Sequence, residues 1–220
     1  SWVAYQTAYL KAHYPADYMA ANLTRSMDKI EDVRKFMDEC KRMGIEVLSP
    51  DVNESDSFFS TNANGNIRFG LQGIKGMSRA VVEELIAERE KNGKYTDIYD
   101  FVSRVNCGAK DLECLAMSGA FDSLKGIERE HFFETNNKEI QFSVVLADFG
   151  KKVKLANSQS RNSLFDDMEV SQSIALPPLP KFEKWTALDR LQKEKDLVGI
   201  YLSAHPLDEY KVILDSLCNT

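Results

Sequence analysis

The chain contains 220 residues, of which 43% are hydrophobic and 28% charged, and its formal net charge is −6. This composition is typical of an ordinary folded protein and excludes fibrous, wholly disordered and disulfide-built chains. No apolar run approaches the roughly 18–20 residues that span a bilayer, and the start of the chain lacks the order of a signal peptide. We therefore expect a cytoplasmic protein without a membrane partner. The cysteines lie too far apart to indicate a zinc site or a disulfide framework: Cys40, Cys107, Cys114 and Cys218.

Helical spacing of apolar residues predicts three helices over residues 1–43, with a break at Pro15 and an end at Gly44. The first helix carries an aromatic stripe of Trp2, Tyr5 and Tyr9. Such a stripe is more typical of a core face, although stacking on nucleic-acid bases stays open as an alternative. The chain starts at Ser1 without a methionine, which indicates a segment of a longer protein.

A small β element follows the three helices. Residues 45–48 have the composition of a short strand, and residues 58–60 and 67–69 flank the turn sequence Asn62-Ala-Asn-Gly-Asn66. Asparagine and glycine at such a turn favour a β-hairpin. We therefore predict a mainly α protein with a small β hairpin or sheet.

A glycine-punctuated stretch at residues 70–80 precedes an amphipathic helix and contains no acidic residue. Gly73 and Gly76 permit tight turns and close approach of a ligand to the main chain, and Ser78 is suited to cap the helix. Free amides at a helix start attract anions, and Lys75 and Arg79 add full positive charges. The pattern indicates a phosphate-binding turn, and an ordinary glycine-rich turn into a core helix stays open as the alternative.

A second pair of helices, predicted over residues 98–105 and 110–118, repeats the order of helix, glycine turn and helix. The repeat predicts a tandem helix-hairpin-helix domain with flanking helices. In this interpretation the amides of Gly76, Met77 and Ser78 contact the phosphates of duplex DNA without reading base edges. The second turn carries only Lys110 as a cation and is expected to be a structural partner.

Less regular sequence follows. A longer helix is predicted over residues 127–149, and Ser, Asn, Gln, Asp and Pro then dominate residues 151–183, which is the composition of a flexible linker. Helices resume over residues 184–201 and 207–217. The cations Lys151, Lys152 and Lys154 are consistent with nearby DNA, and a solvated charge run is the more common explanation.

Five sequence blocks resemble the bacterial replicative DNA polymerase III alpha subunit family, in the same order and at similar spacing. They begin at Tyr5, Pro50, Arg68, Ser118 and Gly199, and read YQTAYLKAHYP, PDVNES, RFGLQGIKG, SGAFD and GIYLSAHPL. The family's hairpin turns often carry a second glycine where this chain has Ser78.

The resemblance implies a domain organisation and a set of partners. Residues 1–50 would be the last helices of the fingers region, 51–72 the β element, 73–150 the tandem helix-hairpin-helix domain, 151–183 the linker, and 184–220 helices leading to an oligonucleotide-binding fold. Double-stranded DNA, the sliding clamp and other polymerase III holoenzyme subunits would be the partners. The whole polymerase would use Mg²⁺, whereas this segment would lack the catalytic palm and any cofactor.

Residues 161–165 resemble the short clamp-binding peptide of these subunits, which ends in a Leu-Phe or Met-Phe pair. Here Arg161 stands where glutamine is expected, and Ser163, Leu164 and Phe165 complete the pattern. An exposed apolar pair in a polar segment is typical of a docking peptide. Alternatively, Phe165 packs on its own domain.

Two other functions stay open. The segment is a protein-interaction scaffold if the hairpins only pack, or a nuclease if Asp166, Asp167 and Glu169 hold metal ions.

Overall fold

The computed structural model describes residues 1–136, 138–162, 174–199 and 201–202, with the side chains of 159–162 outside that description. Within this part of the chain the prediction of a mainly α protein with a small sheet is confirmed. The strands are β1 (Val47–Leu48), β2 (Ser60–Thr61) and β3 (Ile67–Arg68). The helices are α1 (Trp2–His13), α2 (Pro15–Arg25), α3 (Ile30–Arg42), α4 (Arg79–Asn92), α5 (Ile98–Arg104), α6 (Ala109–Met117), α7 (Phe142–Asn162) and α8 (Ala187–Val198).

Helices α2 and α3 form the first layer of the core. Pro15 occupies the first turn of α2, where its missing amide proton is not needed, and Met19 and Leu23 are buried one turn apart. Helix α3 buries Val33 and Cys40 and ends before Gly44, whose φ of 71° provides the left-handed residue that often follows a helix.

Helix α1 differs from the prediction. Its aromatic stripe was expected to be a core face, but Trp2 is 72% exposed and Tyr5 62% exposed, and no residue of α1 is buried. The rings stack instead along the helix surface, with the centroids of Trp2 and Tyr5 5.8 Å apart. The prediction of a core stripe is therefore wrong for the part of the chain that the structure describes.

The three short strands form one sheet in the order β1-β3-β2. The predicted hairpin is confirmed, because Thr61 pairs with Ile67 in antiparallel register. The side chain of Asn62 accepts hydrogen bonds from the amides of Asn64 and Asn66 and so stabilises the turn. Strand β1 pairs with β3 in parallel, and the sheet therefore crosses the boundary predicted at residue 50.

The loop after β1 fastens the sheet to the helical domain. Arg89 of α4 donates hydrogen bonds to the carbonyls of Val52 and Ser55 at 3.0 and 2.8 Å. Asn53 exchanges two hydrogen bonds with the backbone of Tyr95, which precedes α5. The block at residues 50–55 therefore holds the sheet and the hairpin domain in one packing arrangement.

Helices α5 and α6 lie within one residue of their predicted bounds at each end, and α4 follows the glycine-punctuated stretch as predicted. The first hairpin is preceded only by a 3-10 turn at Leu71–Gly73, so its leading helix is shorter than in the second unit. None of the helices in the described ranges combines the length and apolar character that a membrane crossing requires.

Helix α7 begins and ends later than predicted. Residues 129–133 form a 3-10 helix and Thr135 bridges to Gln141, so the predicted helix over 127–149 is interrupted before α7 begins at Phe142. The predicted linker does not begin at residue 151, because α7 continues through Asn162. Gly150 lies within α7 and does not break it. A Cβ at this position would overlap the carbonyl group of Val102, so the glycine permits α5 to pack closely.

Two buried ion pairs attach α8 to the helical domain. Arg129 pairs with Glu194 of α8 at 3.3 Å and with Asp122, and Glu130 pairs with Arg190 of α8 at 2.7 Å. Burial alone would raise the pKa of Glu130. Hydrogen bonds from Arg190 and from backbone amides outweigh burial and hold that pKa below its ordinary value.

We predict that Arg129→Met lowers the free energy of unfolding by about 3 kcal/mol or more, because it removes the guanidinium that neutralises buried Glu194. Urea unfolding at neutral pH measures the change. The control is Arg42→Met, which removes a cation whose side chain is 73% exposed and pairs with Glu39 at the surface. That variant should lose less than about 1 kcal/mol. Equal losses in the two variants would contradict a special role for the buried pair.

Candidate nucleic-acid interface

The first hairpin turn, residues 74–78, joins the 3-10 turn to α4. Gly76 has a φ of 84°, which side chains rarely adopt, and is exposed. Ser78 lies in the extended region with φ −75° and ψ 128°, so serine at this position is not strained. The left-handed residue of the turn is therefore Gly76, and a second glycine at residue 78 is not required.

The backbone amides of this turn differ in their hydrogen bonding. The amide of Lys75 donates to the carbonyl of Leu197 at 3.1 Å, and that of Met77 to the carbonyl of Ile74 at 3.3 Å. The amide of Ser78 donates to the Asp111 carboxylate at 3.3 Å. The amides predicted to contact phosphate at Met77 and Ser78 are thus already engaged within the protein.

Three exposed amides are left for a ligand. Those of Gly76, Arg79 and Ala80 donate to no acceptor in the described ranges of the chain. Arg79 and Ala80 belong to the first turn of α4, where no intrahelical acceptor exists, and the Ser78 hydroxyl does not cap the helix. The helix start therefore presents unpaired N–H groups to solvent.

The second hairpin turn lies directly beside the first. A Cβ added at Gly76 would be 3.3 Å from Sγ of Cys114 and 3.7 Å from Cε of Lys110, both on α6. The Asp111 carboxylate accepts a hydrogen bond from the amide of Gly108 at 3.1 Å in addition to that from Ser78. The second turn was expected to be structural, and Lys110 was predicted to bind DNA together with residues of the first turn; its side chain lies close to that turn.

One surface, which we call the hairpin site, is formed by the exposed residues of the first turn and one lysine of the second: Lys75, Gly76, Arg79, Ala80 and Lys110. Lys75 and Lys110 are exposed, and neither makes an ion pair with any residue that the structure describes. Arg79 pairs with Glu83 at 2.8 Å, with the two side chains 77% and 56% exposed. Such a surface pair contributes little and is readily exchanged for another anion. The remaining predicted site residues are half-buried at the base of the turn: Gly73 and Met77.

The cations of α7 do not form a uniform solvated run. Lys151 and Lys152 are exposed, and Lys151 lies 3.8 Å from Asp148 one turn earlier. Lys154 is half-buried, and burial lowers its pKa although Glu84 and Glu88 of α4 oppose the shift. Lys154 is therefore only partly solvated and lies near the carboxylates of α4.

The clamp-peptide residues are only partly described. Arg161 falls in the last turn of α7, with its side chain outside the description, and residues Ser163, Leu164 and Phe165 lie outside the described residues altogether. The carboxylates of Asp166, Asp167 and Glu169, like the helix predicted over residues 207–217, also lie there.

Side chains suited to catalysis have structural surroundings where the structure describes them. Burial raises the pKa of Cys107 to about 12 and that of Cys40 to about 11, so both thiols stay protonated at neutral pH. His131 is buried against the ring of Phe182, with centroids 4.3 Å apart. No group of three or more His, Cys, Asp or Glu side chains in the described part of the chain is arranged to hold a metal ion.

The central part of the chain matches a known family of domains. The helix-hairpin-helix motif family matches residues 44–132, which include both hairpin turns and the loop that fastens the sheet. The chain therefore contains a helix-hairpin-helix domain.

Relatives along almost the whole chain are DNA polymerase III alpha subunits. That of Neisseria meningitidis serogroup B is 38% identical over 212 residues, 94% of this chain and 17% of that protein. That of Borreliella burgdorferi is 42% identical over 220 residues, 98% of this chain and 18% of that protein. The resemblance to one segment of the DNA polymerase III alpha subunit family is thus confirmed, and the chain spans less than a fifth of the length of these relatives.

We predict that Gly76→Ala lowers the free energy of unfolding by more than the roughly 1–2 kcal/mol that strain of alanine at positive φ costs by itself. Its Cβ would also press on Sγ of Cys114 at 3.3 Å. The matched control is Gly126→Ala, at φ 76° with open space around the added Cβ, which isolates the backbone strain. Thermal or urea unfolding should show a larger loss at Gly76, and the prediction is wrong if Gly126→Ala costs as much.

Proposed function

We propose that the chain is the part of a replicative DNA polymerase alpha subunit that holds duplex DNA by its phosphates, without reading sequence. The observation that carries the proposal is the hairpin site. It combines the unpaired amides of the exposed residues Gly76, Arg79 and Ala80 with two exposed lysines, Lys75 in the same turn and Lys110 with its Cε near Gly76.

The chemistry of this surface suits a phosphate better than a base. Unpaired amides at the N-terminus of a helix combine N–H donors with the positive end of the helix dipole. The lysine ammonium groups add charge without fixed geometry, since each is a flexible point cation. Contacts of this kind position a protein on a duplex and release counterions, so the binding weakens steeply as salt rises.

The broader role follows the relatives. These relatives are DNA polymerase III alpha subunits, and the activity of the whole protein, nucleotidyl transfer with Mg²⁺, is proposed for the parent polymerase and not for this segment. On the same basis residues 1–50 end the fingers region, 73–150 hold the duplex and 184–220 lead to an oligonucleotide-binding fold. The other holoenzyme subunits are the proposed partners, and the bacterial cytoplasm the proposed location.

Reversing the two lysine charges tests the phosphate contact. Lys75→Glu with Lys110→Glu should weaken binding to a short labelled duplex at least about tenfold, and lower the slope of log K against log salt by about two. Fluorescence anisotropy over a salt series gives both quantities.

The control for this pair is Lys35→Glu with Lys125→Glu, which changes the net charge equally at exposed lysines outside the hairpin turns. The control pair should change the duplex affinity and the salt slope much less. Unchanged duplex affinity after reversal at Lys75 and Lys110 would overturn the proposal. The hairpins would then only pack, which is the alternative of a protein-interaction scaffold.

We further propose that residues 161–165 dock the sliding clamp. The support is the pattern of Arg161, Ser163 and the apolar pair Leu164-Phe165, together with a helix that continues to Asn162. Such an anchor pair requires an apolar pocket on its partner.

Leu164→Ala with Phe165→Ala should abolish capture of the chain by an immobilised bacterial sliding clamp, because both apolar anchors are lost. The control is Leu155→Ala on α7, an exposed leucine outside the peptide, which should leave capture intact. Retained capture by the double variant would exclude the peptide as the docking element.

A further inference from the structure

The Asp111 carboxylate lies between the two hairpin turns. One oxygen accepts from the amide of Gly108 at 3.1 Å, and the other accepts from the amide of Ser78 at 3.3 Å. The first bond caps α6, the helix on which Asp111 lies, and the second crosses to the start of α4. The Asp111 carboxylate therefore already accepts a hydrogen bond from the Ser78 amide, which would otherwise be open to a ligand.

Capping alone does not explain the second bond. Asp189 occupies the same third position of α8 and completes a capping box with Thr186. Its carboxylate bonds only to Thr186 among the contacts of the described chain. The crossing bond to another helix is thus an additional property of Asp111.

The charge of Asp111 acts on the surface proposed to bind phosphate. Lys110 is its neighbour in sequence and lies over Gly76, and Lys75 is in the same turn. A carboxylate beside the two lysines reduces the attraction that their positive charges exert on an anion. It also holds the Ser78 amide, so that an arriving phosphate finds three open amides instead of four.

We infer that Asp111 limits the affinity of the hairpin site for backbone phosphates and so keeps contact with the duplex short-lived. The inference rests on the proposed function, because it concerns the same site. Affinity differences within one interface are expressed mainly in the dissociation rate. A carboxylate that competes for an amide therefore shortens the time for which each phosphate is held.

The test compares Asp111→Asn with Asp189→Asn in the full chain. Each removes one negative charge from the third position of a helix and leaves an amide side chain that can still cap. Asp111→Asn should raise affinity for a labelled duplex about two- to fivefold at moderate salt, mainly through slower dissociation. Asp189→Asn should leave both quantities nearly unchanged.

A second pair of variants applies if asparagine disturbs the fold. Glutamate and glutamine both suit the third position of a capped helix, so Asp111→Glu and Asp111→Gln differ chiefly in charge. Asp111→Gln should raise duplex affinity, and Asp111→Glu should keep the affinity of the parent. Equal affinities for these two variants would overturn the inference.

The outcomes separate this inference from the proposed function. If reversal of Lys75 and Lys110 weakens binding while Asp111→Asn leaves it unchanged, only the role of Asp111 is overturned. If neither change alters binding, the phosphate contact and the role of Asp111 are both overturned.

Discussion

The position of the first hairpin turn depends on the crossed ion pairs between the segment at residues 128–130 and α8. Arg129 meets Glu194, and Arg190 meets both Glu128 and Glu130. Because Arg129, Glu130 and Glu194 are buried, their hydrogen-bonding geometry constrains how α8 is oriented. The end of α8 in turn provides the Leu197 carbonyl to the amide of Lys75. The ion pairs that hold α8 therefore help to position the turn, although their charges lie outside it.

The same ion pairs add a second requirement for the glycine that ends α6. Gly119 has a φ of 83°, and the guanidinium of Arg129 occupies the space that a side chain there would need. Arg129 also contacts Asp122, three residues beyond Gly119. Gly119 therefore ends α6 as its left-handed residue and also leaves room for the arginine.

Periodicity was sufficient to predict α3 to α6 and the β hairpin, because each carries a local signal: an apolar repeat, a glycine after a helix, or an asparagine turn. It failed for α7, where lysine, leucine, alanine and glutamine are good helix formers that do not continue an apolar stripe. It also failed for α1, since a stripe predicts a covered face without showing what covers it.

The hairpin site was predicted in part. Gly73, Lys75, Gly76, Met77, Ser78, Arg79 and Lys110 all fall at or beside the two turns. Which amides are open was not predictable, because the acceptors for Lys75 and Ser78 lie at residues 197 and 111. Asp111 carried a signal for capping its own helix, but a bond to a second helix is a tertiary contact with no sequence period.

Gly199 gives the end of α8 a further significance. It is left-handed at φ 87°, the side chain of Ile30 fills the space beside it, and its carbonyl accepts a hydrogen bond from Arg34 of α3 at 3.1 Å. Contacts with α3 therefore fix the direction of the backbone at the end of α8. They lie two residues after Leu197, whose carbonyl accepts the hydrogen bond from Lys75. Tension applied to the backbone beyond this point would be carried first by the contacts of Gly199 with Ile30 and Arg34, and would reach the carbonyl that bonds to Lys75 only after they yield.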